Sequence, residues 1–298
     1  TADSEGGAEA TYARSNHFIG NAYVSGPLSE TLRARVAIRG ARSGPWQKSY
    51  TRDDENGRVR ELAGRFLLDW EPSDAMSFQL NINGWQDKSD PLAVQYLAFN
   101  EQAVSNTQIV RDYPRSPLTS RAADWSTHNG MFINRKFAQA SLRGDIELGG
   151  GLTLTSISAY SRFNQRGALD QDGMNLQDID LRAFAGRIRS LSQELRIAND
   201  PASRVRFIVG GNYSRDKVYY IENLLYGDSS AFYNFGITTS ENYSDQKMRN
   251  LAAFGNVEFD IGDKLTVKGG IRYTDARRSA TICNRDGGGG LASAPVTF

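Results

Sequence analysis

Hydrophobic and polar residues alternate with a period of two along most of this chain. In PLSETLRARVAIRG, residues 27–40, Leu32, Ala34, Val36 and Ile38 fall on one face, and Arg33, Arg35, Ala37 and Arg39 fall on the other. Two further stretches repeat the pattern. Leu62, Gly64, Phe66, Leu68 and Trp70 oppose Ala63, Arg65, Leu67 and Asp69, and Phe78, Leu80 and Ile82 oppose Ser77, Gln79, Asn81 and Asn83. Farther on, Leu191, Leu195 and Ile197 oppose Ser192, Glu194 and Arg196, while Val205, Phe207, Val209, Gly211 and Tyr213 oppose Arg206, Ile208 and Asn212. The series ends with Leu251, Ala253, Gly255, Val257 and Phe259, then Leu265, Val267, Gly269, Ile271 and Tyr273 with Lys268 and Arg272 opposite. Only residues 136–148 and 152–166 blur it, with Ser and Thr on both faces. A chain that changes face at every residue is extended. The pattern therefore predicts about ten strands, near 10–26, 32–42, 61–71, 76–87, 135–148, 152–166, 186–198, 205–217, 248–260 and 265–278.

The connections sharpen this expectation. Every second one is tight (27–31, 72–75, 149–151, 199–204 and 261–264), and the others are long and polar (43–60, 88–134, 167–185 and 218–247). Strands of about 10–14 residues exceed the usual five or six and match a tilted membrane crossing. Short turns at one end and long loops at the other are the arrangement of outer-membrane barrels. The expected fold is all-β, an antiparallel transmembrane β-barrel segment with short periplasmic turns and long extracellular loops. A soluble β-sandwich, which also alternates, is the competing architecture.

Composition narrows the classes. Lys plus Arg is 35 and Asp plus Glu is 34, so bulk charge gives nucleic acid no purchase. Cys283 is the only cysteine, which excludes an internal disulfide and a multi-thiolate zinc site. No apolar run reaches the roughly 18 residues of a membrane helix, a criterion that strands of a closed barrel escape. Thr1 is preceded by neither an initiator Met nor a leader, and the chain is expected to be a mature or internal piece.

Three stretches carry a family resemblance. GPLSETLRARVAIRG resembles the early hairpin of TonB-dependent outer-membrane receptors. LSQELRI followed by FIVGGNYSRD resembles their mid-barrel pair, and NLAAFGNVEFDIGDKLTVKGGIRYTDARR resembles a later hairpin. The order and spacing of the three cover most of the chain. The resemblance implies an active transporter of the Gram-negative outer membrane that binds a bulky, scarce nutrient, such as an iron–siderophore complex or another chelate. It also implies a plug domain that contacts the TonB complex, and a monomeric barrel of about 22 strands when complete. Residues 1–278 are then expected to be part of that barrel and residues 279–298 the start of an outer loop. The plug and the remaining strands would lie outside this sequence. Phe298 ends the chain as an aromatic, but no alternating strand precedes it.

In this frame Arg33, Arg35, Arg39, Arg65, Arg196, Arg206, Lys268 and Arg272 are expected to face the lumen, with Glu194 and Glu258 as balancing charges. A water-filled interior accounts for them, since facing lipid costs Arg or Lys about 2–4 kcal/mol at the midplane. Trp70, Phe66, Phe259, Tyr213 and Tyr273 are expected on the lipid side, where aromatic rings favour the interface. Ligand capture falls to the outer loops. Tyr96, Phe99, Tyr113, Trp125 and His128 lie in the longest, and Tyr219, Tyr220, Tyr226, Phe232, Tyr233, Phe235 and Tyr243 in another. Those rings either grip a ligand or pack the loops on each other.

The run LDQDGMNLQDID carries Asp170, Asp172, Asn175, Asp178 and Asp180, oxygen donors that suit Ca²⁺, but the spacing departs from the EF-hand. A solvated loop is the expectation there, with no metal and no cofactor assigned. Catalysis has no foothold: His17 and His128 are far apart, and GxSxG, CxxC and HExxH are absent. Gly287–Gly290 lacks the Lys-Ser/Thr of a phosphate loop. A passive porin-type barrel and a soluble, secreted β-rich binding module remain the alternative functions.

Overall fold

The computed structural model describes residues 3–99 and 108–286. The tail with Gly287–Gly290 and Phe298 lies outside the described residues. Strands β1 (Glu5–Ala13), β2 (His17–Pro27) and β3 (Leu32–Arg42) are followed by the short β4 (Gln47–Ser49) and β5 (Glu55–Asn56). Strands β6 (Arg60–Ser73) and β7 (Met76–Asp87) precede the helix α1 (Gln108–Arg111) and the short strand β8 (Ala122–Ala123). Then come β9 (Phe132–Gly149), β10 (Leu152–Asp170), β11 (Asp180–Asn199), β12 (Val205–Leu225), the helix α2 (Ser230–Phe235), β13 (Thr239–Ile261) and β14 (Leu265–Asp286). Eleven of these form one sheet in the order β1-β2-β3-β6-β7-β9-β10-β11-β12-β13-β14, antiparallel throughout. Strands β4, β5 and β8 form a second, small sheet among the loops.

Register confirms the sidedness of the alternation. Val36 pairs with Val24 and Phe66, and Leu32 with Trp70, so the apolar positions of adjacent strands fall in continuous rows. One such row runs Ile197, Val209, Gly255, Ile271, and another runs Leu195, Gly211, Ala253, Tyr273. These rows are uncovered: Leu195, Val209, Leu251, Val257 and Val267 are about half exposed despite standing in regular strands. The larger buried apolar side chains lie instead in three small clusters among the loops and the upper ends of β11 and β12. An apolar sheet face with no second layer is foreign to a soluble sandwich, whose faces pack on each other. It is the outer surface of a membrane barrel. Among the described residues no helix is long and apolar enough to cross a membrane, a statement that does not bear on strands.

The opposite face carries Arg33, Arg35, Arg39 and Arg65 in adjacent strands, since Arg33 pairs with Asp69 and Ala37 with Arg65. Arg33 is bonded to Glu71, Arg35 meets Glu5 at 3.2 Å and stacks on Tyr23, and Arg39 donates to Asn21 at 3.1 Å. Arg196 meets Glu194 at 3.4 Å, Glu258 meets Arg206 at 3.3 Å and Lys268 at 2.9 Å, and Arg272 donates to Asn212 at 3.2 Å.

Two features depart from the alternation. The single strand expected over 10–26 is two strands, because Ser15 (φ 63°) and Asn16 (φ 52°) both adopt the left-handed conformation and close a tight hairpin. The Tyr12 hydroxyl donates to the Asn16 side chain at 2.7 Å. One connection at the long-loop end is therefore short. Strands β9 to β14 also run on for 18 to 23 residues. The loops expected over 167–185 and 218–247 shrink to 171–179 and 226–238, and residues 279–286 are strand. Backbone pairing does not need an apolar face, so the strands continue where the hydrophobic signal stops.

Candidate functional site at the outer loops and inner wall

The loops beyond β3, β7, β10 and β12 are built into one module. Gln47 is its hinge pin: its side chain donates to the Ala93 carbonyl at 2.8 Å and accepts from the Ala93 N–H at 2.9 Å. Asn56 adds bonds to Gln47 and to the Pro91 carbonyl at 2.7 Å. Beside β4, where Ser49 pairs with Ala123 of β8, Asp124 is fully buried. It accepts from Ser49 at 3.0 Å and from Thr51, Tyr113 and Arg52, and Arg52 lies over the Trp125 ring at 4.8 Å. A buried carboxylate with this many donors ties residues 49–52 to residues 113–125.

The loop aromatics are part of this packing. Tyr96 is buried against Val110 and Met174, with its hydroxyl on the Val110 carbonyl at 2.9 Å. Tyr113 meets it edge-on at 5.9 Å and accepts from the Asn175 N–H at 2.8 Å, and burial pushes its phenol up to about 12. Trp125 is buried with Ala93 and Ala123 and donates to Asp54 at 3.2 Å. These three rings pack the loops on one another. Tyr219 also departs from its expected loop position: it stands in β12 on the outward face, pairing with Arg187 and meeting Tyr243 at 5.7 Å. Tyr226 packs against the Leu181, Phe184 and Leu224 cluster with its hydroxyl 3.0 Å from Ser240. His128 and Tyr233 are exposed, as is Tyr219, with His128 beside Thr127 and Tyr233 on α2 beside Phe232 and near the exposed Phe235.

The acidic run is a further correction, because it is buried rather than solvated. Asp170 and Asp180 are buried and pair in register at the ends of β10 and β11. Asp170 accepts from the Ser126 N–H and the Gly173 N–H, each at 2.7 Å. Asp172, on the turn between them, accepts from the N–H groups of Met174 at 2.8 Å, Ile179 at 2.9 Å and Asp178 at 3.1 Å. Gly173 (φ +75°) sits where a Cβ would come within 2.9 Å of the Tyr96 nitrogen, so the turn requires glycine. Burial and the neighbouring carboxylate charge push Asp172 up to about 8, and burial raises Asp170 and Asp180 as well. These side chains are the described residues suited to holding a cation.

The inner wall holds an aromatic patch that the alternation passed over. Trp85 stacks on Phe137 with ring centres 6.1 Å apart and lies 6.0 Å from Phe163. Trp85 pairs with Phe137, and Phe137 with Phe163, on the same face as Asn83, Gln139 and Arg135. The patch lies near the loop ends of β7, β9 and β10, beneath the module. The signal was present as a large ring on the polar phase of a segregated strand: Trp85 follows Gln79, Asn81 and Asn83 on the hydrophilic side.

The architecture thus defined is an antiparallel transmembrane β-barrel segment with an uncovered apolar face, a charged inner face and a folded outer cap. Solved structures share it. The ferric yersiniabactin uptake receptor FyuA from Yersinia pestis superposes with a TM-score of 0.70 at 14% identity, over 96% of this chain and 41% of that one. The ferripyoverdine receptor of the outer membrane of Pseudomonas aeruginosa gives 0.69 at 13% identity, over 96% and 39%. The ferric preacinetobactin receptor BauA from Acinetobacter baumannii gives 0.55 at 10%, over 95% and 44%. The chain has the fold of the TonB-dependent siderophore receptors and spans about two fifths of the length of these structures. No protein-family model matches the chain, and no curated protein matches its sequence.

Proposed function

We propose that this chain forms part of the barrel wall and outer cap of a Gram-negative outer-membrane receptor that imports a bulky iron-chelate-class nutrient with TonB-coupled energy. The observation that carries this reading is the Trp85–Phe137–Phe163 patch on the inner wall, roofed by a packed loop module, in a barrel whose structural neighbours are siderophore receptors. An aromatic surface flanked by Arg135, Asn83 and Gln139 suits a ligand that is flat, partly apolar and anionic at its rim. The paired charges lower on the wall, such as Arg206 with Glu258, leave a hydrated path past which such a ligand moves. The uncovered apolar rows support membrane placement over a soluble binding module.

The test is ligand binding by the full-length protein in detergent, read by quenching of tryptophan fluorescence with a panel of ferric chelates, together with uptake in cells with and without TonB. Binding weakened at least tenfold by Trp85→Ala, and uptake that requires TonB, support the proposal. Uptake that proceeds unchanged without TonB points to a passive porin-type barrel and overturns it.

A further inference from the structure

We infer that Asp170, Asp172 and Asp180 bind one Ca²⁺ ion that fastens the loop module to the rim of the barrel. One carboxylate oxygen from each lies within 4.8 Å of the other two. Ca²⁺ holds oxygens at about 2.3–2.6 Å, so oxygens on opposite sides of one ion stand about 4.6–5.2 Å apart, and the trio fits within a single coordination sphere. Mg²⁺, at about 2.0–2.1 Å and with retained waters, fits it less well. The all-oxygen donor set disfavours softer metals.

A second observation points into the same space. Asp180 is fully buried, and neither of its carboxylate oxygens accepts a hydrogen bond. The Ser126 hydroxyl and the Asp170 carboxyl stand beside it without closing one. No described Lys, Arg or His forms an ion pair with any of the three. A buried carboxylate left unpaired is costly, and a divalent cation supplies the missing charge. The ion would draw together the end of β10, the turn at 171–179, the start of β11 and, through the Ser126 N–H on Asp170, the longest loop.

The experiment is direct Ca²⁺ binding to full-length protein in detergent, stripped with a chelator and titrated calorimetrically with CaCl₂. Limited proteolysis of the loops, with and without chelator, runs in parallel. The expected result is saturable uptake at this site, weakened at least tenfold in Asp180→Asn and in Asp172→Asn, and loops cut faster in chelator. Absence of saturable uptake by the wild type, or equal uptake in wild type and variants, overturns the inference. If the variants fail to fold, the wild-type comparison decides: loops cut equally with and without chelator refute it. None of these readouts involves the nutrient, so failure of the receptor reading leaves them interpretable.

An independent observation carries a second inference. On the outward face, directly above the apolar rows, cations stand opposite one another across adjacent strands. Arg162 pairs with Arg189, Arg189 with Lys217 and Lys217 with Lys247, while Arg215 pairs with Arg249 and Arg249 with Arg277. Asp275 meets Arg249 at 3.6 Å and Arg277 at 3.2 Å, but no described carboxylate pairs with Arg162, Arg189, Arg215, Lys217 or Lys247. Like charges directly opposite in a sheet destabilise it unless something neutralises them. Beside them a groove of about 680 Å³ is lined by Lys136, Arg166, Arg187, Asn164 and Tyr219. We infer, resting on the outer-membrane reading, that this belt binds the phosphorylated headgroups of outer-leaflet glycolipid.

Protein purified in mild detergent from its own membrane is expected to retain that glycolipid in native mass spectra. Salt should release it, and the triple variant Arg189→Gln, Lys217→Gln, Lys247→Gln should retain several-fold less. Wild type with no bound glycolipid, or equal retention in the variant, overturns this inference. Recovery of the protein outside the membrane fraction would instead overturn the reading it rests on.

Discussion

Moving one arginine by a single residue along β12 tests the sidedness of the whole sheet. Val209 is half exposed on the apolar face between Ile197 and Gly255, and Ile208 occupies the inner face between Ala198 and Asn256. The apolar stretch of the outward face runs from Val205 to Tyr213, and the first cation above it is Arg215. At about 3.3 Å per residue and a tilt near 40°, Val209 sits about 10 Å above the lower end of that stretch and about 15 Å below Arg215. That is close to the middle of a layer about 25 Å thick, where Arg costs about 2–4 kcal/mol. Val209→Arg is therefore expected to shift the folding equilibrium in lipid by about 30-fold to 1,000-fold. Ile208→Arg enters a hydrated wall and is expected to cost under about 1 kcal/mol. The assay is denaturant titration of the full-length protein folded into vesicles, with folded and unfolded forms separated by their gel mobility without heating. Equal costs for the two variants, or a larger cost for Ile208→Arg, would refute the assignment of faces.

Asp124→Ala strands Arg52, Tyr113, Ser49 and Thr51 around an empty pocket, and loss of a buried charge pair typically costs about 3–5 kcal/mol. Hydrogen exchange should rise across residues 47–56 and 108–125 while the barrel strands keep their protection; unchanged exchange in those loops would contradict the packing described. Gly173→Ala forces a left-handed residue against the Tyr96 backbone, and proteolysis of the 171–179 turn should accelerate at least several-fold relative to wild type. Tyr113 titrates near 10 when unfolded but at about 12 when folded, so the folded state holds its proton more tightly. Its stabilising effect is full below about pH 10 and is lost as pH rises toward 12. Burial raises Tyr50, Tyr96 and Tyr220 as well, so tyrosinate absorbance should show one fewer late-titrating phenol in Tyr113→Phe than in wild type, and an equal number would refute the shift.

The fold was legible because a membrane barrel has only a two-letter code, lipid or lumen, and a one-residue slip would exchange every side chain between them. Leu32 to Ile38 state that code plainly, and their register with Phe66 and Trp70 follows it. The code ends at the edge of the lipid. Above Tyr213, β12 carries Arg215, Lys217 and Tyr219 outward and Asp216, Val218 and Tyr220 inward, with no apolar phase to mark a strand. Backbone pairing continues to Leu225 regardless, so the upper strand ends escaped the pattern. The hairpin at Ser15 and Asn16 escaped it for another reason. Apolar residues stand on both sides of the turn, and two left-handed residues without glycine give little warning.

The site was less legible because loop side chains have no period. Tyr96, Tyr113 and Trp125 look like ligand-gripping rings when counted along a long loop. Yet a loop of this length must bury some apolar surface to hold one conformation, and it uses its largest rings first. The same logic inverts the acidic run. Asp170 and Asp180 are ten positions apart in sequence but adjacent across the β10–β11 pairing, and the turn at Gly173 folds Asp172 back between them. Spacing along the chain does not resemble a calcium loop, because the three carboxylates are brought together by the paired ends of two mid-sheet strands and the turn between them. A search for such sites in barrel proteins should therefore compare residues at equal height on neighbouring strands. Trp85, Phe137 and Phe163 make the same point on the inner wall, joined by register across three strands and separated by dozens of residues in sequence.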